Sequence, residues 1–280
     1  FFSLHIFNIM KRILFTLILF FHCIYIYSQP TVLDTALMKL RYRYIYTRNS
    51  LMKERREALM ILLIGDKWSL FYNKHNDDLQ YGNSKIDRSK YVTTTIDENG
   101  KVTRWRSADA PRIIGPTEYT YLDKINVDEI FITNVWFSGL YYYTDKYLSP
   151  KWEVFKDKKT IMGYMCQRAE SSYFGRKWTA WFTTEIPVDS GPWKLTGLPG
   201  LILEASDEDG DFGFIAVSIE PPAEEDVISM KDSLMLTKVT KDALFKLQKK
   251  IYENTNGDFG PIQIKTSSPI PKRKLNTIER

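Results

Sequence analysis

Cys166 and His75 are the residues of this sequence that could form a nucleophile–base pair. His75 is the one histidine beyond residue 28, and Cys166 lies among apolar residues in the stretch Met162–Gln167. A thiol attacks as the thiolate, so it needs a neighbouring base or positive charge to lower its pKa. A lone cysteine among apolar strand residues is more often part of a core. We therefore expect Cys166 to be buried, reduced and not catalytic.

The sulfur atoms in this region also raise the question of copper. Met162, Met165 and Cys166 lie close together in the sequence, and thioether and thiolate sulfur bind Cu(I). In a strand, however, Met162 and Cys166 point to one face and Met165 to the other. Zinc would need several histidine or cysteine ligands, and one of each remains beyond residue 28. We expect no metal ion and no other cofactor.

The acidic run DEDGD, Asp207–Asp211, resembles part of a calcium-binding loop. An EF-hand loop carries glycine at its sixth position and glutamate at its twelfth. Counting from Asp207, glycine falls at the fourth position and the twelfth residue is Ser218. The spacing does not fit an EF-hand, and the run is typical of a hairpin turn centred on Asp209-Gly210.

Three carboxylates near predicted strand ends could act as the paired acids of a hydrolase. They are Glu185, Asp189 and Glu204. Enzymes of this kind place two carboxyl groups at a defined separation across the substrate. The sequence shows no spacing that is diagnostic of such a pair, so we assign no catalytic residue. A hydrolase that uses the carboxylates near Glu185 and Asp189 is kept as an alternative function.

Aromatic side chains are a better indication of a binding site. In the stretch Lys177–Ile186, Trp178, Ala180 and Phe182 alternate onto one face of a strand and Trp181 onto the other. Large rings on both faces indicate a strand that is covered on both sides. Core packing is the first interpretation of these rings.

The second interpretation of the aromatic residues is an opening for an apolar ligand or a protein partner. Sites of that kind are lined mainly by apolar and aromatic side chains. The candidate ligand-binding residues at the rim are Trp181, Trp193, Leu198, Pro199 and Leu201.

The hexapeptide GLPGLI, residues 197–202, predicts a tight turn that leads into a strand. In a type II turn, proline presets φ at the second position and glycine supplies positive φ at the third. Pro199 and Gly200 suit those two positions. We expect Gly197, Pro199 and Gly200 to be structural turn residues, with positive φ at Gly200.

Short alternating apolar runs, separated by turn residues, predict an antiparallel β fold. Leu40–Thr47 is one such run, with its leucine and tyrosines on one face. Hairpin turns are predicted at Gly65-Asp66, Asn99-Gly100 and Phe174-Gly175. The spacing of the turns indicates a mainly β protein with a single curved antiparallel sheet, shaped as a half-barrel or open barrel.

One stretch predicts a C-terminal helix packed on this sheet. Thr240 can cap the segment 241–254, with Asp242 in the first turn and lysines near the end, as the helix dipole favours. Residues 266–280 are rich in turn formers and low in apolar content, so we expect an extended or disordered tail. Residues 29–265 would then form a single β-rich domain.

The N-terminal segment resembles a secretory signal peptide. Lys11 and Arg12 precede the apolar run Ile13–Tyr27. Residues 1–28 would be the signal, with residues 1–9 upstream of the true start. The apolar run is too short to span a bilayer comfortably, so we expect no stable membrane span after cleavage.

Charge and export together limit the partners. Without Lys11 and Arg12, 37 basic residues remain against 34 acidic ones, a net charge of +3. This balance does not indicate nucleic-acid binding. Export would place the chain in the periplasm, or in an outer-membrane-associated or extracellular position. A single remaining cysteine forms no internal disulfide there, so stability must come from a packed core.

A longer motif surrounds the hexapeptide. The stretch GRKWTAWFTTEIPVDSGPWKLTGLPGLILEASDEDG, residues 175–210, resembles the signature of the GLPGLI family, a set of exported proteins of Gram-negative bacteria. The preceding IMGYMCQRAE is similar to the usual lead-in of that family, and LLIGDKWSLFYN and the closing LNTIE fit more weakly. The resemblance implies export and a β-rich build. It brings no activity and no catalytic residue.

Taken together, these features favour a non-enzymatic cell-envelope protein that binds an apolar small molecule or another envelope protein. The hydrolase is the first alternative, and a purely structural envelope component is the second. A cavity in the sheet would support binding, a polar cleft with converging acids would support the hydrolase, and a filled core would support the structural role.

Overall fold

The structure is a computed structural model that describes residues 31–81, 92–96, 102–106, 115–135, 139–230, 236–253 and 274–279. Within these ranges the protein is mainly β, with fifteen strands and two helices. The strands are β1 (Thr31–Thr47), β2 (Arg55–Gly65), β3 (Trp68–Asn73), β4 (Val92–Ile96), β5 (Val102–Arg106), β6 (Glu118–Asp123), β7 (Asp128–Val135), β8 (Gly139–Lys146), β9 (Glu153–Ile161), β10 (Tyr164–Tyr173), β11 (Arg176–Thr183), β12 (Leu201–Asp207), β13 (Phe212–Glu220), β14 (Val227–Met230) and β15 (Leu236–Lys238). The helices are α1 (Lys74–Tyr81) and α2 (Lys241–Glu253).

Thirteen of the strands form one large open sheet. Its order is β15-β8-β7-β6-β3-β2-β1-β13-β12-β11-β10-β9, and β14 pairs with the first part of β1. Neighbours pair antiparallel except β15 and β8, which are parallel. Strands β4 and β5 pair with each other as a separate two-stranded sheet. The predicted mainly β, antiparallel class is confirmed.

Three of the predicted hairpins lie where the turn residues indicated. Gly65-Asp66 joins β2 to β3, and Phe174-Gly175 joins β10 to β11 with φ values of 46° and 69°. Positive φ at both turn residues is the geometry that matches the twist of a two-residue hairpin. Asp209-Gly210 lies between β12 and β13. Asn99-Gly100 lies outside the described residues, although the strands on either side of it do pair.

Strand β1 is central to the sheet because it pairs with both β2 and β13. Its predicted alternation is confirmed: Leu40, Tyr42, Tyr44 and Tyr46 are all buried. The Tyr42 hydroxyl donates to the carbonyl oxygen of Ile202 at 2.6 Å, so a buried polar group is satisfied inside the core. These side chains join the larger of the hydrophobic clusters, which spans β1 to β3 and β10 to β13.

Helix α2 confirms the predicted C-terminal helix and its cap. The Thr240 hydroxyl accepts a hydrogen bond from the backbone N–H of Ala243 at 3.2 Å, as an N-cap residue does. Leu244 is buried against Phe131 of β7 and Tyr143 of β8, which places the helix on the sheet. Neither described helix is long and apolar enough to cross a membrane.

Helix α1 was not predicted, because its apolar content is low. The side chain of Asn73, the last residue of β3, accepts a hydrogen bond from the backbone N–H of Asn76 at 3.2 Å. This side-chain cap starts a short helix without an apolar stripe of the usual helical spacing.

The C-terminal residues 274–279 belong to the stretch 266–280 that was predicted to be an extended or disordered tail. They are packed against the domain, and Glu279 is 7% exposed. The turn-forming composition of this segment indicated exposure, whereas polar side chains of the domain hold it in place. We call residues 274–279 the C-terminal segment. Residues 266–273 and residues 1–30, which include the predicted signal at 1–28, lie outside the described ranges.

Candidate functional site

A fully buried lysine lies at the centre of the site. Lys194, in the turn between β11 and β12, follows Trp193, whose φ of 55° turns the chain into the interior. The Lys194 ammonium lies 2.8 Å from Glu129 and 2.6 Å from Glu279. It also donates to the Tyr143 hydroxyl at 3.1 Å. A buried ammonium needs this number of partners, because burial removes its hydration.

A second lysine completes the ion network. Lys241, the first residue of α2, lies 2.7 Å from Glu279 and 3.8 Å from Glu129. Two ammonium groups therefore face two carboxylates, and Phe174 contributes its ring face 4.4 Å from the Lys241 nitrogen. Burial, and then the charges of Glu279 and Glu129, raise the pKa of Tyr143 well above its usual range. The balanced charges make this network structural, since it joins β7, β8, α2 and the C-terminal segment.

A buried arginine holds the C-terminal segment from the other side. The Arg176 guanidinium, 1% exposed, donates to the carbonyl oxygens of Thr277 at 2.6 Å and Ile278 at 3.1 Å. It also pairs with Asp207 at 2.5 Å. Arg176 also donates to the side-chain oxygen of Asn276 at 2.8 Å, so it binds both the backbone and a side chain of the segment.

The same arginine neutralises part of the negative charge of the acidic run Asp207–Asp211. Carboxylate oxygens of Asp207, Asp209 and Asp211 lie within 4.8 Å of one another, a grouping that a metal ion could fit. Arg176 lies 3.7 Å from Asp209 and 3.9 Å from Asp211 as well as contacting Asp207. The run is the predicted hairpin turn, and a guanidinium supplies the positive charge at its centre.

Backbone pairing extends the contact between the C-terminal segment and β1. The Asn276 backbone N–H donates to the carbonyl oxygen of Arg48 at 2.8 Å, and its side-chain amide donates to that of Thr47 at 2.9 Å. Leu275 forms an isolated antiparallel bridge with Asn49. The segment therefore lies beside the end of β1 and the residues that follow it, joined to them by an isolated bridge and two hydrogen bonds.

The C-terminal segment forms one wall of a cavity of about 130 Å³. Eight aromatic side chains line the remaining walls, together with a few polar groups. The aromatic residues are Tyr44, Tyr46, Phe71, Phe131, Trp193, Phe212, Phe214 and Phe245. A space of this kind, apolar with few polar groups, is the usual form of a small-molecule site.

Glu118, the first residue of β6, is the unusual polar group in the cavity wall. Its Oε2 atom is buried and has no hydrogen-bond partner among the residues that the structure describes. Burial is the main cause that raises the pKa of this carboxyl, and the charge of Arg48 and hydrogen bonds from the backbone N–H groups of Glu118 and Thr117 oppose it. Arg48 is itself exposed, with its guanidinium 4.9 Å from the ring centre of Tyr252. It marks the side on which the cavity meets solvent.

The predicted ligand-binding residues separate into different environments. Trp193 lines the cavity and packs against Trp178 at 5.8 Å between ring centres. Trp181 lies on the opposite face of β11, as predicted, with the Lys159 ammonium 4.4 Å from its ring centre. Leu198 and Leu201 are buried in the core, and Pro199 is exposed. Of these five residues, Trp193 is the one that lines the cavity, and their role in binding stays a prediction.

Gly200 is required for a different reason from the predicted one. Its φ is not positive; Gly197 has the positive φ of this turn, at 90°. A Cβ atom at Gly200 would overlap the backbone carbonyl of Thr183 at the end of β11. Asp189 accepts the Gly197 backbone N–H and holds the turn. The expectation of positive φ at Gly200 was wrong, because close approach of two backbones also demands glycine.

Cys166 is buried and free, as predicted. Its thiol donates to the carbonyl oxygen of Tyr164 at 3.6 Å, and burial raises its pKa. His75 lies exposed on α1, after β3, and five strands separate β3 from the Cys166 strand in the sheet. Met162 and Met165 are 42% and 50% exposed, so they do not share the environment of Cys166. Neither the nucleophile–base pair nor the copper site is assembled.

The three candidate carboxylates each have a structural partner. Glu185 accepts the backbone N–H of Met165 at 2.7 Å, and Glu204 pairs with Lys159 at 2.7 Å. Asp189 holds the turn at Gly197. Burial raises the pKa of Asp189, and the backbone N–H groups that it accepts oppose the shift. None of these contacts forms a shared acid pair.

Sequence reasoning missed the charged residues that build the site. These residues are Arg176, Lys194, Glu279 and Glu118. A signal was present for Lys194, which lies between Trp193 and Leu195 in an otherwise apolar turn. A long cation in such surroundings needs a buried partner, but the pattern does not say which carboxylate supplies it.

The fold and the site define a mainly β protein whose open sheet bears an aromatic cavity closed on one side by its own C-terminal segment. Residues 173–204 match a family described as "Protein of unknown function (Porph_ging)". This stretch contains Arg176 and Lys194, the two buried cations that hold the C-terminal segment.

Comparison of the structures gives likeness of fold alone. Two solved structures of PNGF-II, in space groups P21 and C2, are similar with TM-scores of 0.51 and 0.50 at 13% identity. Each match covers 80% of this chain, and the chain spans 36% of the solved chains. No curated protein sequence matches significantly.

Proposed function

We propose that this chain is an exported cell-envelope protein of the GLPGLI family. The basic residues Lys11 and Arg12, the apolar run after them and the small residue Ser28 support export. The hexapeptide at 197–202 supports the family. Amino-terminal sequencing of native protein tests the first part: we expect a start near Gln29, and recovery of Met10 at the terminus would contradict cleavage.

We further propose that the sheet curls into a half-barrel. Strands β7 and β13 are separated by four strands in the order of the sheet. Neighbouring strands lie about 4.8 Å apart, so a flat sheet would hold β7 and β13 about 24 Å apart. Phe131 of β7 and Phe214 of β13 nevertheless line the same cavity of about 130 Å³. Curling of the sheet around the C-terminal segment accounts for this proximity.

The function that the geometry supports best is non-enzymatic binding of a small, largely apolar molecule. The observation that carries this proposal is the aromatic cavity of about 130 Å³. An engineered apolar cavity of about 150 Å³ binds benzene, so this volume suits a single aromatic ring or a short alkyl group. The separately partnered carboxylates give the hydrolase no comparable support.

Blocking the cavity tests this proposal. Gln248 lines the cavity from α2 and is half-buried, while its neighbour Lys249 is exposed and does not line it. Gln248→Trp should fill the space, and Lys249→Trp adds the same ring to the same helix outside it. Benzyl alcohol, followed by ligand-observed NMR and calorimetry, is the probe. We expect it to bind the original protein and Lys249→Trp but not Gln248→Trp.

The outcomes separate the proposed functions. Equal binding to both tryptophan variants would place the probe elsewhere and contradict the cavity site. Absence of binding to the original protein, tested also with other single-ring and short alkyl probes, would favour a structural role for the packed sheet.

A further inference from the structure

We infer that the cavity selects ligands that carry a positively charged amine, with Glu118 as the group that binds the ammonium. This inference rests on the proposed binding function and names the chemical class of the ligand. Two buried side-chain oxygens of the cavity wall lack a hydrogen bond among the described residues, Glu118 Oε2 and Glu279 Oε2. Lys241 contacts the second at 2.7 Å in an ion pair, so the inference begins from Glu118.

The two glutamates of the cavity wall differ in whether a cation of the protein pairs with them. Glu279 lies against Lys194 and Lys241, so its negative charge is neutralised inside the protein. Glu118 is in no ion pair of the part of the chain that the structure describes. The backbone N–H groups of Thr117 and Glu118 act on its carboxyl group, but its buried Oε2 atom has no hydrogen-bond partner there. A buried oxygen of this kind is costly unless a donor reaches it. An ammonium group in the cavity would supply the donor and the opposite charge together.

The aromatic walls suit the same ligand. Tyr44 and Tyr46 stack at 5.1 Å between ring centres, and Tyr44 stacks on Phe214 at 4.6 Å. Glu118 lines the same cavity as these rings, and its charge, after burial, raises the pKa of Tyr44. Ring faces attract cations, so aromatic rings around a carboxylate form a site for an organic ammonium.

Arg48 is a cation of the protein that could compete for Glu118. It lines the cavity and its charge acts on the Glu118 carboxyl. The guanidinium is nevertheless exposed over Tyr252, and no ion pair with Glu118 is formed between these two described side chains. It lies at the solvent side of the cavity, which leaves the interior carboxylate oxygen for the ligand.

Matched probes test the inference. Benzylamine and benzyl alcohol have the same ring and nearly the same size, but at neutral pH the amine is a cation and the alcohol is neutral. We expect the original protein to bind benzylamine at least about tenfold more tightly than benzyl alcohol. Glu118→Gln should reduce the affinity for benzylamine to that for benzyl alcohol, and it should leave benzyl alcohol binding within about twofold.

The control variant is Glu185→Gln, which neutralises an exposed carboxylate that does not line the cavity. It should keep the preference for the amine. Equal affinity for the two probes in the original protein, or a preference that survives Glu118→Gln, overturns the amine selectivity while the proposed apolar binding stands. Absence of binding of both probes overturns both. Retained binding of benzyl alcohol by Glu118→Gln shows that this variant is folded.

Discussion

The ammonium of Lys194 lies 2.6 Å from the carboxylate of Glu279, 85 residues further along the chain. Neither residue belongs to a regular strand or helix. Their contact joins the turn that leads to GLPGLI with the last described residue of the protein. Because Arg176 binds the preceding carbonyl groups, two buried cations from one stretch of sequence hold the C-terminal segment over the cavity.

Loss of Lys194 should strongly destabilise the protein. Lys194→Met keeps the length of the side chain and removes its charge, which leaves the buried carboxylates of Glu129 and Glu279 with Lys241 as the remaining lysine of the network. Breaking a buried ion pair in this way costs about 3–5 kcal/mol. Urea unfolding followed by tryptophan fluorescence measures the change.

The control for Lys194→Met is Lys177→Met. The Lys177 side chain is 51% exposed and pairs only loosely with Glu170 and Glu208, at 3.7 and 3.6 Å. Exposed pairs contribute little, so this variant should stay within about 0.5 kcal/mol of the original protein. Equal stability of the two variants would show that the buried network is not needed for folding.

Removal of the C-terminal segment should open the cavity. Deleting residues 274–280 takes away Leu275 and Ile278, which line it, and leaves the Arg176 guanidinium without its carbonyl acceptors. We expect the free energy of unfolding to fall by more than about 2 kcal/mol and a hydrophobic dye to bind the folded protein. Dye fluorescence below the unfolding transition gives the second measurement.

Lys274→Ala serves as the control for the deletion. Lys274 is exposed, and it contacts Asn49 and Ser50 through its backbone, which the substitution keeps. This variant should behave as the original protein in both measurements. A truncated protein that binds no more dye than Lys274→Ala would mean that the sheet closes the cavity without the segment.

Stability should fall at alkaline pH because buried tyrosines resist ionisation. Burial raises the pKa of Tyr147 to about 12 from a usual value of 10.0. Between these values the unfolded chain releases a proton that the folded chain keeps, so the free energy of unfolding decreases as pH rises. Burial raises the pKa in the same direction for Tyr42, Tyr72, Tyr143 and Tyr173.

Denaturant midpoints at about pH 8 and about pH 11 measure this dependence. Tyr147→Phe removes one of the groups, so its midpoint should fall less over the same interval. The variant also loses the hydrogen bond from the Tyr147 hydroxyl to the carbonyl oxygen of Lys194, at 2.8 Å, which lowers its stability at every pH. The fall in its midpoint is therefore measured from its own value at about pH 8. Equal midpoints at the two pH values for the original protein would contradict the expected role of burial.

Local patterns were enough to predict the hairpins, the alternation of β1 and the cap of α2, because turn residues and periodicity act between near neighbours. The burial of Cys166 followed from its apolar surroundings in the same way. The site depended on contacts between distant charges, such as Lys194 with Glu279, 85 residues apart. The sign of a charged residue does not show which distant residue it will pair with. The polar composition of the last residues indicated that they would be exposed. The C-terminal segment was therefore missed as a wall of the cavity.

At Gly200 too, the sequence pattern did not show the contact with a distant part of the chain. A series of substitutions decides whether glycine is needed there for positive φ or for the close approach of another backbone. A Cβ atom would overlap the Thr183 carbonyl, so Gly200→Ala should lower the free energy of unfolding by about 2–4 kcal/mol. Gly200→Asn separates the explanations, because asparagine tolerates positive φ but adds the same Cβ. We expect the asparagine variant to be at least as unstable as the alanine variant.

The control for this series is Gly213→Ala in β13. An added Cβ there meets no atom closer than 3.8 Å, and its φ lies outside the left-handed region. Alanine also loses less backbone entropy than glycine when a strand forms, so this variant should equal or slightly exceed the original protein in stability. Thermal and urea unfolding of the three variants give the comparison. If Gly200→Asn is stable and Gly200→Ala is unstable, positive φ is the reason for glycine at this position. If both variants are unstable and Gly213→Ala is stable, the reason is the close contact between the GLPGLI turn and the end of β11.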